Sequence, residues 1–144
     1  MDGGRSSPHP LHLVSMSQCW VLELGWRFWK LSEDFEQRQL IQWARSRPEL
    51  QYLFHIPNES ASGKGWGIRN RQLGVKSGVP DLMLPIPSRG YHGLFIEMKA
   101  AGSKVSENQG RWLEALETFG YRAVVCYGWE AARDEIEAYL ATNK

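Results

Sequence analysis

The stretch that decides the fold is residues 78–99, with the sequence GVPDLMLPIPSRGYHGLFIEMK. Its last six residues, LFIEMK, form a run typical of a β-strand, in which side chains alternate between the two faces. Glu97 and Lys99 are therefore predicted to share one face of that strand, with the apolar residues Ile96 and Met98 on the other. The pattern places an acid and a base side by side.

A second apolar segment, DLML, precedes that strand and begins at Asp81. The Pro, Ser, Arg and Gly residues between the two segments are typical of turns, which predicts that the chain returns as a hairpin neighbour. That pairing would bring Asp81 beside Glu97. Two carboxylates and an ammonium group at strand ends can hold a hard divalent cation in oxygen ligands and keep a positive charge near a reacting centre.

The composition predicts one globular domain with a substantial core, since the chain has 144 residues, of which 42% are hydrophobic and 23% charged. A net charge of +1 is too small to indicate a nucleic-acid binder, so attraction to phosphate would need a local basic cluster or a bound metal. Cys19 and Cys126 lack metal-type spacing, and no apolar run reaches about 18 residues. We expect a reduced cytoplasmic protein without a membrane span.

Residues 1–32 differ from the rest of the chain. They begin with a Gly, Ser and Pro-rich leader, followed by a Trp and Leu-rich stretch that has no period of two or 3.6 residues. We predict that residues 1–32 form an N-terminal leader without an assigned role and that residues 33–144 form the domain. The tryptophans of the leader are expected to cover apolar surface elsewhere or to contact a partner.

An acidic side chain is predicted to point inward from the first helix of the domain. Ser32 or Asp34 can cap this helix, which runs to about Arg45. Glu36 lies four residues before Leu40, at the edge of the apolar stripe. The alternative is that the negative charge of Glu36 merely stabilises the N-terminus of the helix through the macrodipole. This effect would be the same if Glu36 faced solvent.

A second inward polar group is predicted on a later helix. Ser106 opens this helix, and Trp112 and Leu113 lie on its buried face together with Gln109. The alternative is structural, because a Gln three residues after a Ser completes a capping box and needs no chemical role.

The basic segment, residues 60–79, contains no acidic residue and carries Lys64, Arg69, Arg71 and Lys76 among five glycines. Such residues suit contact with a phosphate backbone, which they neutralise while releasing counterions. The alternative is an ordinary solvated loop with a short helical turn around residues 66–73.

The predicted order is α-β-β-β-α-β-α, an α/β fold with a mixed β-sheet flanked by helices. With that order, several positions together resemble the VRR-NUC domains of the PD-(D/E)xK nuclease superfamily, most of all the small stand-alone type of phages and bacteria. The resemblance covers roughly residues 34–140. It rests on Glu36, Gly78-Val79-Pro80-Asp81-Leu82, Phe95-Ile96-Glu97-Met98-Lys99, Gln109, and the turn Gly120-Tyr121-Arg122.

The resemblance implies a restriction-endonuclease-like core with a metal centre. Asp81 and Glu97 would be metal ligands, with the backbone carbonyl of Met98 as a third, and Glu36 would face the same centre directly or through water. Because these ligands are all oxygen, the expected cation is Mg²⁺ or Mn²⁺, and no organic cofactor is expected.

The resemblance also implies an activity, the metal-dependent hydrolysis of DNA phosphodiester bonds, with branched or Holliday-junction-like DNA as the substrate. Lys99 would orient or activate the attacking water or stabilise charge on the phosphate, and Gln109 would position Lys99 or a phosphate. Stand-alone members resemble junction resolvases, which implies a homodimer in the bacterial or phage-infected cytoplasm.

Two other classes of function remain open from the sequence. One is a non-catalytic DNA-binding module that keeps the fold, and the other is a general α/β interaction protein. The structural alternative for the motif itself is that Asp81 caps a turn and that Glu97 and Lys99 are a surface pair on an edge strand, worth under about 1 kcal/mol to stability.

Overall fold

The computed structural model describes residues 32–57 and 66–141, so the predicted leader up to residue 31 and Lys64 lie outside the described residues. The described chain follows the predicted order, with a 3-10 turn (Pro48–Leu50) before the first strand and a short helix between the first two strands. The helices are α1 (Glu33–Arg45), α2 (Trp66–Gln72), α3 (Glu107–Thr118) and α4 (Trp129–Leu140). The strands are β1 (Phe54–His55), β2 (Leu82–Leu84), β3 (Leu94–Lys99) and β4 (Arg122–Tyr127).

The four strands form one mixed sheet in the order β1-β2-β3-β4. β2 pairs antiparallel with both β1 and β3, whereas β3 and β4 are parallel. The predicted hairpin is confirmed, because Leu82 lies opposite Ile96. Continuing that register by one residue puts Asp81 opposite Glu97, as the turn residues between the strands predicted.

The two faces of β3 pack against different layers of helix. Leu94, Ile96 and Met98 belong to the main core, which also takes in residues of α1 and α4. Phe95, on the other face, packs in a smaller cluster with Leu116 of α3. Since β3 lies between two strands and under helices on both faces, all six of its residues are buried. The alternative of an exposed pair on an edge strand is therefore wrong.

Helix N-termini gather at the carboxyl end of β3. Ser32 caps α1, with its Oγ accepting from the backbone N–H of Phe35 at 3.2 Å. Ser106 caps α3 in a full capping box. At the start of α4, the backbone N–H of Gly128 donates to the carbonyl oxygen of Lys99 at 3.0 Å. The positive ends of these helix dipoles favour negative charge at this end of the sheet.

Two features bear on the predicted class of protein. None of the helices in residues 32–57 and 66–141 has the length and apolar character needed to cross a membrane. Cys126 is a free, buried thiol whose pKa is raised to about 12 by burial. A thiol with so high a pKa is a poor nucleophile and acts as a small apolar core residue.

Candidate active site

Asp81, Glu97 and Lys99 meet at the junction of β2 and β3. Nζ of Lys99 lies 2.8 Å from Oε1 of Glu97, on the strand face that the alternation predicted. Oδ2 of Asp81 accepts a hydrogen bond of 2.8 Å from the backbone N–H of Met98, which lies between those two residues. The structure therefore brings together the three side chains of the sequence motif.

This cluster is desolvated, and its pKa values are shifted accordingly. Only 1% of Glu97 and 4% of Lys99 is exposed. Burial raises the pKa of Glu97 to about 7, although its hydrogen bond to Lys99 opposes the rise. Burial also raises the pKa of Asp81, against the bond from Met98. For both carboxyl groups, burial disfavours the ionised form more than the neighbouring hydrogen bonds and positive charge favour it.

For the ammonium group of Lys99, neighbouring charges outweigh burial. Burial alone would lower its pKa, but the hydrogen bond and charge of Glu97, together with the charge of Glu33, outweigh burial and raise it. Lys99 therefore stays protonated at neutral pH, and it can donate hydrogen bonds but cannot accept a proton. This favours a role in orienting water or stabilising charge on a phosphate over a role as general base.

The two carboxylate oxygens of Glu97 have very different surroundings. Oε1 accepts from Nζ of Lys99 and from Nε2 of Gln109. Oε2 is buried and has no hydrogen-bond partner among the described residues. A buried oxygen left without a partner costs about 1–3 kcal/mol, and more if it is charged. Such an oxygen is well suited to bind a cation.

Gln109 completes the capping box and also contacts the buried centre. Its Oε1 accepts from the backbone N–H of Ser106 at 2.8 Å, which completes the capping box. Its Nε2 donates to Glu97, so the same side chain also holds a carboxylate of the centre. The capping box is confirmed, and the positioning of Lys99 or of a phosphate by Gln109 stays a prediction.

The first helix contributes a residue that was not predicted from the sequence. Glu33 lies beside Lys99, with both carboxylate oxygens 3.3 Å from Nζ. It is seven residues before Leu40, which places it on the same helical stripe and could have revealed it.

Glu36 is buried, as predicted, but its hydrogen bond lies elsewhere. Its Oε2 accepts from the backbone N–H of Trp129 at 2.9 Å, at the first residue of α4. The N-cap residue of α4 is Gly128, which has no side chain to do this. The predicted role of Glu36 at the metal centre remains a prediction, and the hydrogen bond that it makes is a helix cap.

His55 is a second residue that was not predicted from the sequence. Its Nδ1 lies 2.9 Å from the carbonyl oxygen of Asp81 and 2.9 Å from Nε2 of Gln37. If Nδ1 carries the proton it donates to Asp81, and the amide of Gln37 then turns its oxygen towards the ring. The backbone N–H of Ile56 donates to the same carbonyl at 2.8 Å, so β1 fixes the backbone of Asp81.

The donor set fits a hard cation, although it is small. Within the described ranges, no three His, Cys, Asp or Glu side chains are grouped so as to hold a metal ion. The carboxylates available are those of Asp81 and Glu97, and the backbone carbonyl of Met98 remains the predicted third ligand. An all-oxygen set with one unpartnered buried oxygen and raised carboxyl pKa values suits Mg²⁺ or Mn²⁺.

The basic segment is partly described. Its residues 66–72 form α2, which confirms the helical turn. Arg69, Arg71 and Lys76 are exposed, whereas Lys64 lies outside the described residues. Contact of these side chains with phosphates stays a prediction.

Comparisons with known proteins place the fold among nuclease domains. The family model of the VRR-NUC domain matches residues 24–130. The chain is also similar to a solved structure described as a VRR_NUC domain protein, with 33% identity and a TM-score of 0.67, covering 76% of this chain and 88% of that one. Comparison with curated proteins gives no match. The chain belongs to the VRR-NUC family, within the PD-(D/E)xK nuclease superfamily.

Proposed function

We propose that this protein is a Mg²⁺- or Mn²⁺-dependent DNA endonuclease of the PD-(D/E)xK type that prefers branched DNA. The observation that carries the proposal is the buried cluster of Asp81, Glu97 and Lys99, in which one oxygen of Glu97 has no described partner. A cluster of this kind is costly to a fold that does not use it, because each carboxyl must be desolvated.

In the proposed reaction, Asp81 and Glu97 hold the cation, which when bound supplies an activated water and offsets charge on the phosphate. Lys99 donates hydrogen bonds to the attacking water or to a non-bridging phosphate oxygen. Glu33 and Glu97 hold its ammonium group between them, which fixes Nζ at the centre. Gln109 fixes the orientation of Glu97.

The basic segment supplies affinity in this proposal. Lys64, Arg69, Arg71 and Lys76 would neutralise backbone phosphates on either side of the cleaved bond. A two-fold homodimer would present two such centres to two strands, as cleavage of a junction requires. The expected location is the cytoplasm of a bacterium or of a phage-infected host.

The proposal is tested by incubating purified protein with linear, nicked, flap and four-way junction DNA in Mg²⁺, Mn²⁺ or EDTA. We expect cleavage in either metal, fastest on a branched substrate, and none in EDTA. An Asp81→Asn preparation controls for contaminating nuclease. Tight binding of junctions without cleavage in any metal would reject the enzyme in favour of a non-catalytic DNA-binding module.

A further inference from the structure

The chain after α2 makes a close contact with the start of α3 at the junction Ser77–Gly78. Gly78 has a positive φ of 84°, and a Cβ there would lie 2.7 Å from the carbonyl carbon of Asn108 and 2.9 Å from the backbone nitrogen of Gln109. Both neighbours are backbone atoms of a capped helix, so they cannot move aside cheaply. Only glycine fits this position without displacing α3 or the junction.

Two hydrogen bonds hold the same junction. Nδ2 of Asn108 donates to Oγ of Ser77 at 3.2 Å, and Nε1 of Trp112 donates to the carbonyl oxygen of Ser77 at 3.2 Å. Trp112 also packs against the core cluster around Phe95. The junction is therefore attached to a residue that is itself anchored in the domain.

The described part of the basic segment is joined to the domain mainly through that junction. α2 and the turn after it are poorly buried, since Ile68 of α2 is 66% exposed and Leu73 of the turn is 69% exposed. Packing on the domain therefore fixes α2 weakly. Three backbone hydrogen bonds tie the following turn to α2, from Leu73 to Arg69 (3.0 Å), Gly74 to Arg71 (3.1 Å) and Val75 to Asn70 (2.9 Å). The helix and its turn form one hydrogen-bonded unit that ends next to the junction.

Gly78 is connected to each of the two carboxylates of the centre, once along the chain and once across its contact with α3. Along the chain, the buried residue Pro80 leads directly to Asp81. Across the contact, Gly78 touches the backbone of Gln109, whose side chain donates to Glu97. A displacement of the junction would therefore shift the positions of both carboxylates.

We propose that Gly78 is a positioning residue, whose contact with α3 sets the place of DNA bound by the basic segment relative to Asp81 and Glu97. This inference rests on the proposed function. Its consequence is a division of effects: the basic side chains determine how tightly DNA binds, and the junction determines whether the bound phosphate lies at the centre.

The sharpest test compares Gly78→Ala with Gly74→Ala. Gly74 has nearly the same φ, 86°, but a Cβ there meets nothing within 4 Å. Both variants carry the strain of a left-handed alanine, and only Gly78→Ala collides with α3. In Gly78→Ala we expect kcat on junction DNA to fall on the order of 10²-fold through misplacement, with KM and the Kd in EDTA almost unchanged. Gly74→Ala should retain kcat.

Milder variants keep the test decisive if Gly78→Ala does not fold. Asn108→Ala and Trp112→Phe each remove one hydrogen bond to Ser77 without a collision. Each should lower kcat per folded molecule more than it raises Kd. Because partial unfolding also lowers the apparent kcat, the folded fraction is measured by circular dichroism on the same preparations. Weakened DNA binding with unchanged kcat in these variants would overturn the proposal.

Amide hydrogen exchange provides a readout without cleavage. Binding of junction DNA in EDTA should slow exchange at residues 69–76 and at residues 106–112 in the wild type, but only at residues 69–76 in Gly78→Ala. The inference would be overturned if DNA protects α3 equally in both proteins. It would also be overturned if DNA protects neither residues 69–76 nor residues 106–112 of the wild type. If the exchange pattern holds and the wild type cuts no DNA, the proposed activity fails and the coupling stands.

Discussion

The buried centre at the end of β3 and the described part of the basic segment both carry charge, but they differ in their exposure to water. Glu97 is 1% and Lys99 4% exposed, whereas the arginines of α2 lie on a helix with little cover. Charges in water are screened by salt and contribute mainly to association, while buried charges are held in place and act on a reacting centre. Under the proposed function, the first region carries the chemistry and the second supplies the affinity for DNA.

The largest effect is expected from removing charge at the centre. Asp81→Asn and Glu97→Gln keep the shape of each side chain, and the amide oxygen introduced by Asp81→Asn could still accept from the N–H of Met98. Because each variant removes an anionic ligand of the proposed cation, we expect single-turnover cleavage to fall on the order of 10³-fold or more, with DNA binding in EDTA retained.

The control for this effect is Glu114→Gln, which removes an exposed acid of α3. That variant should cleave like the wild type. Substantial cleavage by Asp81→Asn or Glu97→Gln would place the chemistry outside the buried centre.

The next largest effect concerns stability and pH. The folded pKa of Glu97 is about 7, above its ordinary value of 4.5, so the folded protein keeps a proton that the unfolded chain loses. The free energy of unfolding should therefore fall as pH rises through this window, by about 3 kcal/mol from this group. The raised pKa of Asp81 acts in the same direction, and Lys99 stays charged throughout.

Urea denaturation of metal-free protein between about pH 4.5 and 8 measures this effect, with Glu97→Gln as the reference because it cannot titrate. The wild type should lose more stability than the variant, and Mn²⁺ should restore part of it at the higher pH. Parallel stability curves for the two proteins would mean that Glu97 is solvated like an ordinary carboxyl.

A smaller effect separates the two acids of α1. Glu33→Gln should lower cleavage about 10–100-fold with little change in melting temperature, because it loosens a group that orients Lys99. Glu36→Ala should instead cost about 1–3 kcal/mol of stability, because it leaves the N–H of Trp129 without its acceptor. If cleavage by folded Glu36→Ala protein falls as far as in Glu33→Gln, the result would instead support the predicted role of Glu36 at the metal centre.

The smallest effects are expected in the basic segment. Arg69→Gln, Arg71→Gln and Lys76→Gln should each weaken binding to all DNA sequences alike and reduce the salt slope by about one for each phosphate that is no longer neutralised. Cleavage at saturating DNA should be retained. Arg45→Gln, an exposed position on α1, is the control. An unchanged salt slope in all three variants would make the segment an ordinary solvated helix and turn.

The centre was predictable from the sequence because its parts are local. Asp81 and Glu97 are joined by one hairpin, and the alternation of a strand puts Lys99 beside Glu97 whatever the rest of the chain does. Gln109 was also accessible, since a capping box is a pattern of four residues. The position of these side chains depends on few distant contacts.

The contacts that were not predicted join distant parts of the chain. The contact of Glu33 with Lys99 spans 66 positions and follows from the docking of α1, which helix periodicity alone does not specify. The bond from Trp129 to Glu36 spans 93 positions and competes with the metal-facing role that the same periodicity allows. Gly78 belongs to the motif on which the resemblance rests, but its contact with α3 is likewise not visible in the sequence.

The most direct test of the central claim is a Mn²⁺ titration of the protein without DNA, followed by electron paramagnetic resonance of the free ion. If Asp81 and Glu97 form the cation site, the wild type lowers the free Mn²⁺ signal, and Asp81→Asn and Glu97→Gln do so much less at equal protein concentration. Equal uptake by the three proteins, or a similar drop in uptake in Glu114→Gln, would contradict a cation site at these two carboxylates.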